Sequence, residues 1–278
     1  MSEPRIGLAL GGGSARGLAH IPMLEVFDEL GIRPARMAGC SIGAVIGAAY
    51  AGGMTAREIR ARAEQILNTR FDAMRYVFGS QRTKIRDILA LKGFASLHLN
   101  AEKLIDLVLP HTIPARIEEM PIPFCVVATD FDARQERVFY EGSLIKAVAA
   151  SIAIPGVILG PTFDGRVYVD GGCTNPVPFD HVREGTDIVV AIDVTGKPQP
   201  PARRHHTNRE LALGSLLIMF HQVAMLRHEA NPPDIYIEPA TESFRAGDFF
   251  RLQEVFEAAQ PAKEELKRKL DRLFSAGA

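Results

Sequence analysis

The sequence predicts an α/β fold built on a parallel sheet, and three observations carry that prediction. A short apolar run, Ile6–Leu10, stops at Gly11-Gly12-Gly13 and is followed by apolar residues at helical spacing: Leu18, Ile21, Leu24, Phe27 and Leu30. A second run, Arg36–Gly39, passes through Cys40 and Ser41 into the small-residue helix Ala44–Tyr50. Two strand–turn–helix units in succession call for parallel strands joined by crossovers. Further on, Ile188–Val194 is apolar almost without a break, as a strand covered on both faces requires.

Composition narrows the class. With 278 residues and 47% hydrophobic content the chain can bury a large core, and no long Gly/Ser linker divides it, so one domain over residues 1–278 is expected. Lys plus Arg number 32 against 33 for Asp plus Glu, and this balance offers nucleic acid no global attraction. Cys40, Cys125 and Cys173 form no CxxC pair, which fits reduced thiols better than a disulfide framework or a zinc site. Met1-Ser2-Glu3-Pro4-Arg5 leads into a short strand rather than an apolar signal segment. A cytoplasmic protein without metal or cofactor is the expectation.

The remaining elements follow in order. Gly31 is placed as the C-cap of a helix over Ala15–Leu30, and Thr55 with Glu58 has capping-box spacing for a helix over Thr55–Asn68. Thr69–Asn100 has no clean period and mixes aromatic with basic residues, so it reads as a cap facing the substrate. Ala101–Leu109 is a short helix stopped by Pro110, and Phe124–Thr129 and Arg137–Tyr140 are strands paired across the polar turn Asp130–Glu136. A helix starts at Gly142-Ser143, runs to Ser151 and stops before Pro155-Gly156; Val167–Val169 is a strand ending at Asp170. Lys197–His206 is a Pro- and Arg-rich loop. Leu211–Leu226 reads as an apolar helix buried in the core, since a membrane span needs about 20 apolar residues; a lipid-facing helix is the lesser alternative. Asp248–Phe274 is a charged amphipathic helix with a break expected at Pro261.

The chemistry centres on Gly39-Cys40-Ser41-Ile42-Gly43. A serine between two such glycines, at a strand-to-helix turn, has the form of a nucleophile elbow, with its Oγ exposed at the helix start. The same five residues also arise by chance in a Gly- and Ala-rich chain. Gly11-Gly12-Gly13-Ser14-Ala15-Arg16-Gly17, at the end of the neighbouring strand, can aim consecutive N–H groups at an oxyanion. A phosphate loop fits less well, because Gly17 is followed by Leu18-Ala19 rather than Lys-Ser/Thr, and the dinucleotide fingerprint fails at Arg16 or Ser14. For the base, His205 and His206 fall in the loop and His221 and His228 on a helix, none at a strand-end glycine turn. Asp170, before Gly171-Gly172, does sit at one, although taken alone an ordinary Asp-Gly turn explains it better.

The glycine-rich loop with Arg16, Gly-Cys-Ser-Ile-Gly around Ser41, Ala150-Ser151-Ile152-Ala153-Ile154-Pro155 and Asp170-Gly171-Gly172 occur in the order seen in the patatin-like phospholipases. With Ala128-Thr129-Asp130 and Asn175-Pro176-Val177-Pro178 included, the resemblance runs from about Arg5 to Val194 and is strongest to the small bacterial single-domain branch. It implies a three-layer α/β sandwich with a largely parallel central sheet, residues 195–278 packing on it as a helical C-terminal part. It implies a catalytic dyad with Ser41 as nucleophile and Asp170 as base, and oxyanion donors at Gly12, Gly13 and Ser14. Gly11, Arg16, Gly17, Gly39, Gly43, Gly171 and Gly172 support the motifs, Arg16 by holding the loop or favouring an anionic head group. Ser14 departs from the usual glycine, and Pro176 stands where relatives often carry asparagine.

The implied activity is hydrolysis of carboxylic esters of lipids through an acyl-enzyme on Ser41. Thioester hydrolysis at the same dyad, an idle lipid- or protein-binding regulator, and a nucleotide-binding module are the other readings. The expected partner is a lipid or other acyl ester, its chain lodged among Leu67–Leu99 and the Leu211–Leu226 helix. The basic and aromatic residues of 57–86, among them Arg57, Arg62, Arg70, Phe71, Tyr76 and Arg82, fit peripheral contact with the inner membrane surface, and fit helices with solvated basic faces at least as well.

Overall fold

The computed structural model describes residues 4–68, 101–197 and 207–275. The expected cap Thr69–Asn100, most of the loop ending at His205 and His206, and the basic–aromatic residues beyond Asn68 lie outside these.

An eight-stranded sheet forms the middle layer, in the order β5-β6-β3-β2-β1-β7-β8 with β4 added on β3. β1 (Ile6–Leu10), β2 (Arg36–Cys40), β3 (Phe124–Asp130), β7 (Ile188–Ile192) and β8 (Ile235–Ile237) run parallel. β4 (Gln135–Phe139) and β6 (Arg166–Asp170) pair antiparallel with β3, and β5 (Thr162–Phe163) pairs antiparallel with β6. The expected sandwich with a mostly parallel sheet is therefore observed.

The registers on β3 fix where the site lies. β2 pairs with Phe124–Val127, β6 with Ala128–Asp130, and β4 with Val126–Asp130. A strand has two edges, so β4 takes one while β2 and β6 share the other, end to end. Cys40 faces Val127 and Asp170 faces Ala128. The residue after β2 and the last residue of β6 are thereby brought together.

Period-two alternation sends side chains to two layers. Ile6, Leu8, Leu10, Met37, Val126, Val190 and Ile192 join the larger core, while Ala9, Ala38, Cys125, Val189 and Ala191 face a smaller one. The larger core is closed by α1 (His20–Leu30), α2 (Ile42–Ala51), α3 (Ala56–Asn68), α4 (Ala101–Val108), α5 (Leu144–Ser151) and α7 (Leu252–Ser275). The smaller is closed by Val177, Phe179, Val182 and Ala224 of α6 (Asn208–Ala230).

Local signals behave as their chemistry dictates. Gly31 caps α1 in the left-handed conformation at φ 66°. Thr55 N–H donates to Glu58 Oε2 at 2.8 Å and Glu58 N–H to Thr55 Oγ1 at 3.2 Å, the reciprocal capping box of α3. Three expectations are corrected and one strand is added. The first helix is split: Ser14–Ala19 is a 3₁₀ turn, and α1 starts at His20 with Pro22 in its first turn, where a missing N–H costs nothing. α7 runs unbroken through Pro261, which lies on the exposed side while Ala259, Ala262 and Leu266 hold both halves on the core. β8, behind Pro232-Pro233, is a strand that the pattern does not announce. α6 is not a buried core helix: Phe220 and Ala224 face inward, but Leu211, Ile218, Met219 and Leu226 are more than half exposed.

Since Leu266 is fully buried among residues from both ends of the chain, Leu266→Ala should remove about 2–5 kcal/mol, the usual cost of such a cavity. Urea unfolding followed by far-ultraviolet circular dichroism should show one transition moved to lower urea. A separate transition for the C-terminal helix, with the main one unmoved, would refute a shared core.

Candidate active site

Ser41 follows β2 with φ 53° and ψ −125°, a backbone conformation that L-residues hold only where the surroundings enforce it. The flanking glycines provide close approach. A Cβ on Gly39 would stand 2.6 Å from the Ala44 Cα, and one on Gly43 would run into the Leu10 carbonyl. Strand β1, the turn and α2 are thus locked together at backbone distance.

The Ser41 Oγ–H donates to Asp170 Oδ2 at 2.7 Å, and Asp170 Oδ1 accepts the Gly172 N–H at 2.8 Å. Both residues are buried. Burial pushes the Asp170 carboxyl up to about 7, against the pull of those two hydrogen bonds, which favour the carboxylate. The Thr129 hydroxyl donates to the Asp170 carbonyl at 3.0 Å, and Asn175 N–H donates to the Gly171 carbonyl at 2.8 Å, steadying the turn from behind.

One short segment holds both partners. Ser151, the last residue of α5 and fully buried, accepts the Ser41 N–H at its Oγ (2.7 Å) and donates its own proton to the Val127 carbonyl at 2.6 Å. Two residues on, the Ala153 carbonyl accepts the Asp170 N–H at 3.0 Å. Residues 151–153 therefore clamp the backbone of Ser41 and Asp170 from a common anchor. The sequence reading quoted this stretch but gave Ser151 no role; the usable signal is a serine ending an apolar helix, since a buried hydroxyl must find partners.

The glycine-rich loop is tied down from several sides. Gly11 N–H donates to the Ile192 carbonyl at 3.0 Å and Gly12 N–H to the Pro176 carbonyl at 2.8 Å. Gly12 is thus corrected as an oxyanion donor, because its N–H is already taken. Its lack of a side chain serves packing, since a Cβ there would stand 3.1 Å from the Ser41 Cβ. The N–H groups of Gly13 and Ser14 have no acceptor among the described residues, and Ser14 carries a positive φ of 53°. The neutral His20, lowered to about 4 by burial, donates from Nε2 to the Gly11 carbonyl at 2.8 Å. Arg16 is buried behind the loop, its Nε 3.4 Å from the Gly13 carbonyl. Burial lowers its pKa while the charges of Asp193 and Glu242 oppose the shift. Arg16 holds the loop and is not presented to a head group. Asp193 is itself fixed by the Thr195 N–H at 2.7 Å and the Tyr236 hydroxyl at 2.6 Å, a role for β8 that motif reasoning missed.

Among the described residues no histidine bonds Ser41 or Asp170. His221 pairs with Thr195 Oγ1 at 3.0 Å, and His228 lies against the Tyr236 ring. Glu136, Asp180 and His181 are close enough together to ligate a cation. Arg227 Nη2, however, sits 3.1 Å from both carboxylates and already supplies the positive charge. This cluster fastens α6 to the segment after Asp170, with Asn175 Nδ2 bridging the same two acids at 2.9 and 2.8 Å.

The sequence matches the family described as Patatin-like phospholipase over residues 8–183, well over half the chain and inclusive of both Ser41 and Asp170. The chain belongs to the patatin-like phospholipase family. An uncharacterized NTE family protein of Mycobacterium tuberculosis is 38% identical over 210 residues, covering 74% of this chain and 54% of that protein. Patatin-like phospholipase domain-containing protein 6 of Homo sapiens is 32% identical over 192 residues, 68% of this chain and 13% of that one. The chain thus spans about half the length of the mycobacterial relative and a small part of the human one. Among solved structures, VipD from Legionella pneumophila aligns with TM-score 0.46 at 14% identity, covering 95% of this chain and 67% of that one. In this patatin-like chain the family match contains the dyad and the Ser151–Ala153 clamp, whereas β7, α6, β8 and α7 follow it.

The clamp can be tested by the reactivity of Ser41. Ser151→Ala leaves the buried Ser41 N–H without an acceptor, a penalty of about 1–3 kcal/mol, and labelling of Ser41 by a fluorophosphonate should slow by roughly 10- to 100-fold. Loss of thermal stability alone, with labelling at the wild-type rate, would make Ser151 an ordinary packing residue.

Proposed function

We propose that this chain hydrolyses carboxylic esters of lipids, with Ser41 as nucleophile and Asp170 as the direct base. The 2.7 Å hydrogen bond from the Ser41 hydroxyl to Asp170, made in a strained strand-to-helix turn, is the observation that carries this reading. Family membership supports the lipid ester as substrate class.

The steps follow from the geometry. Ser41 Oγ attacks the ester carbonyl while Asp170 takes its proton; the carbonyl oxygen becomes an oxyanion beside the free N–H groups of Gly13 and Ser14. The intermediate collapses with departure of the alkoxide, to which protonated Asp170 returns the proton, leaving an acyl ester on Ser41. Water then attacks this ester, Asp170 again taking a proton, and the acid is released with Ser41 restored. A carboxyl with pKa about 7 suits both directions of transfer, since a proton-transfer group works best when its pKa lies near the working pH.

Hydrolysis of p-nitrophenyl esters over a range of acyl lengths tests the reading. Ser41→Ala should fall to background, and Asp170→Asn should lose about 100- to 10,000-fold in kcat, the range typical of a positioned base. A wild type inert towards every ester, or a Ser41→Ala variant that still turns over, sinks the proposal.

The acidity of Asp170 gives an independent check. The base is active as carboxylate, and its pKa is raised, so it is protonated and idle below about 7. The kcat/KM of the wild type should climb with pH through about 7 and level off above it. A limb centred near 4, where a solvated aspartate titrates, would contradict the buried carboxyl.

A further inference from the structure

We propose that the outer face of α6 is a docking surface for a lipid aggregate, placed behind the turn that carries Asp170 so that the ester reaches the dyad from the bilayer or micelle side. This rests on the lipid-ester reading for its purpose, though not for its measurement.

The helix is unusual for an exposed one. From Leu211 to Leu226 it contains no Asp, Glu, Lys or Arg, and the stretch Leu211–Ala230 has a mean hydropathy of 1.2 with only 11% of it buried. Exposed helices normally turn a charged face to water. Here Leu211, Ile218, Met219 and Leu226, at spacings of seven and eight residues, lie on one outward stripe and are 52–64% exposed.

The opposite face is committed to the fold, so the helix lies along the protein and does not cross a membrane. The Phe220 ring packs directly on Gly172, Ala224 is in the smaller core, and Arg227 is paired with Glu136 and Asp180. Gly172 is the residue whose N–H holds Asp170. On the other side of the same turn, Cys173 lines a groove of about 410 Å³ of mixed polarity, with Val169, Pro155 and Phe131 beside Asp130, Asp132 and Arg134. The helix thus presents the uncharged surface, directly behind the turn that carries Asp170.

Size argues against a second copy as occupant. The stripe is about 22 Å long and about 10 Å wide, on the order of 200 Å², whereas a stable dimer buries about 800 Å² on each partner. A strip of this size suits shallow, reversible insertion at a lipid surface.

The test uses sedimentation with phosphatidylcholine vesicles, with and without phosphatidylglycerol, on the Ser41→Ala chain so that the lipid is not consumed. Binding to both vesicle types is expected, and adding Ile218→Glu and Met219→Glu should weaken it by about tenfold or more, since carboxylates resist leaving water. With Ser41 intact, the two glutamates should leave hydrolysis of a monomeric short-chain ester unchanged and reduce that of an aggregated long-chain ester. Failure of the Ser41→Ala chain to bind vesicles, or equal binding with the glutamates present, overturns the proposal. So does a dimer in sedimentation velocity that the glutamates dissociate, or a marked loss of thermal stability, which would show the face covered by the chain itself. Vesicle binding lost on glutamate substitution, in a protein that hydrolyses no ester, would uphold the surface and defeat the hydrolase reading.

Discussion

Two strands that share one edge of β3 set the position of everything chemical in this molecule. β2 and β6 approach each other head to head, and their registers against Val127 and Ala128 leave Ser41 and Asp170 as neighbours. Because alternate residues face opposite sides of a sheet, a slip of one position in either strand would turn a reacting side chain to the wrong layer. The 2.7 Å bond between hydroxyl and carboxylate is thus a property of the sheet. The Ser151–Ala153 segment adds a second restraint on the same pair, itself tied to β3 where the Ser151 hydroxyl donates to the Val127 carbonyl. Its hydrogen bonds to Ser41 and Asp170 go to their backbone N–H groups, so they act on the placement of the turns and leave the hydroxyl and carboxylate free.

What the sequence made legible follows the range of the interaction. β1 was read to its residues, and the capping box at Thr55 and the cap at Gly31 were placed correctly, because each is decided within a few residues. The paired strands β3 and β4 were legible for the same reason. The turns at Ser41 and Asp170 were legible because glycines mark them, whereas the pairing of the two residues rested on the family resemblance. Ser151 and the Gly12–Pro176 contact were not, since each depends on a partner more than a hundred residues away. The burial of α6 was misread for a physical reason. An apolar helix has the same local pattern whether its second face meets a core, a lipid or water, and its inward anchors Phe220, Ala224 and Arg227 look no different in the sequence from its outward ones.

The glycine-rich loop shows how the fold divides labour among residues that a motif treats alike. Gly11 and Gly12 spend their N–H groups on Ile192 and Pro176, Gly13 avoids a collision with the Val194 carbonyl, and the Gly13 and Ser14 N–H groups meet no acceptor among the described residues. Behind them His20 and Arg16 bond the loop's carbonyls and so fix the direction of those N–H groups. Ser14 takes over a positive-φ position without glycine's freedom, a strain of the sort found where backbone donors must point at a ligand.

Electrostatics then connects activity to stability. Arg16 is buried beside Asp193, which offsets the loss of water, and His20 is buried neutral. Asp170 has no such counter-charge among the causes that set its acidity, only the Ser41 hydroxyl and the Gly172 N–H. Its folded pKa lies above the unfolded value of 3.8, at about 7, so between these the native state retains a proton that the unfolded chain releases. Stability therefore falls as pH rises through that window, by as much as about 4 kcal/mol at 1.36 kcal/mol per unit. Above pH 7, where the carboxyl is ionised, the whole of that cost is present. Close packing at Gly39, Gly43 and Gly172 and the hydrogen bond at Ser151 hold the turns around this buried carboxylate. The pH range in which the Asp170 carboxyl is ionised is the range in which it most needs the rest of the fold.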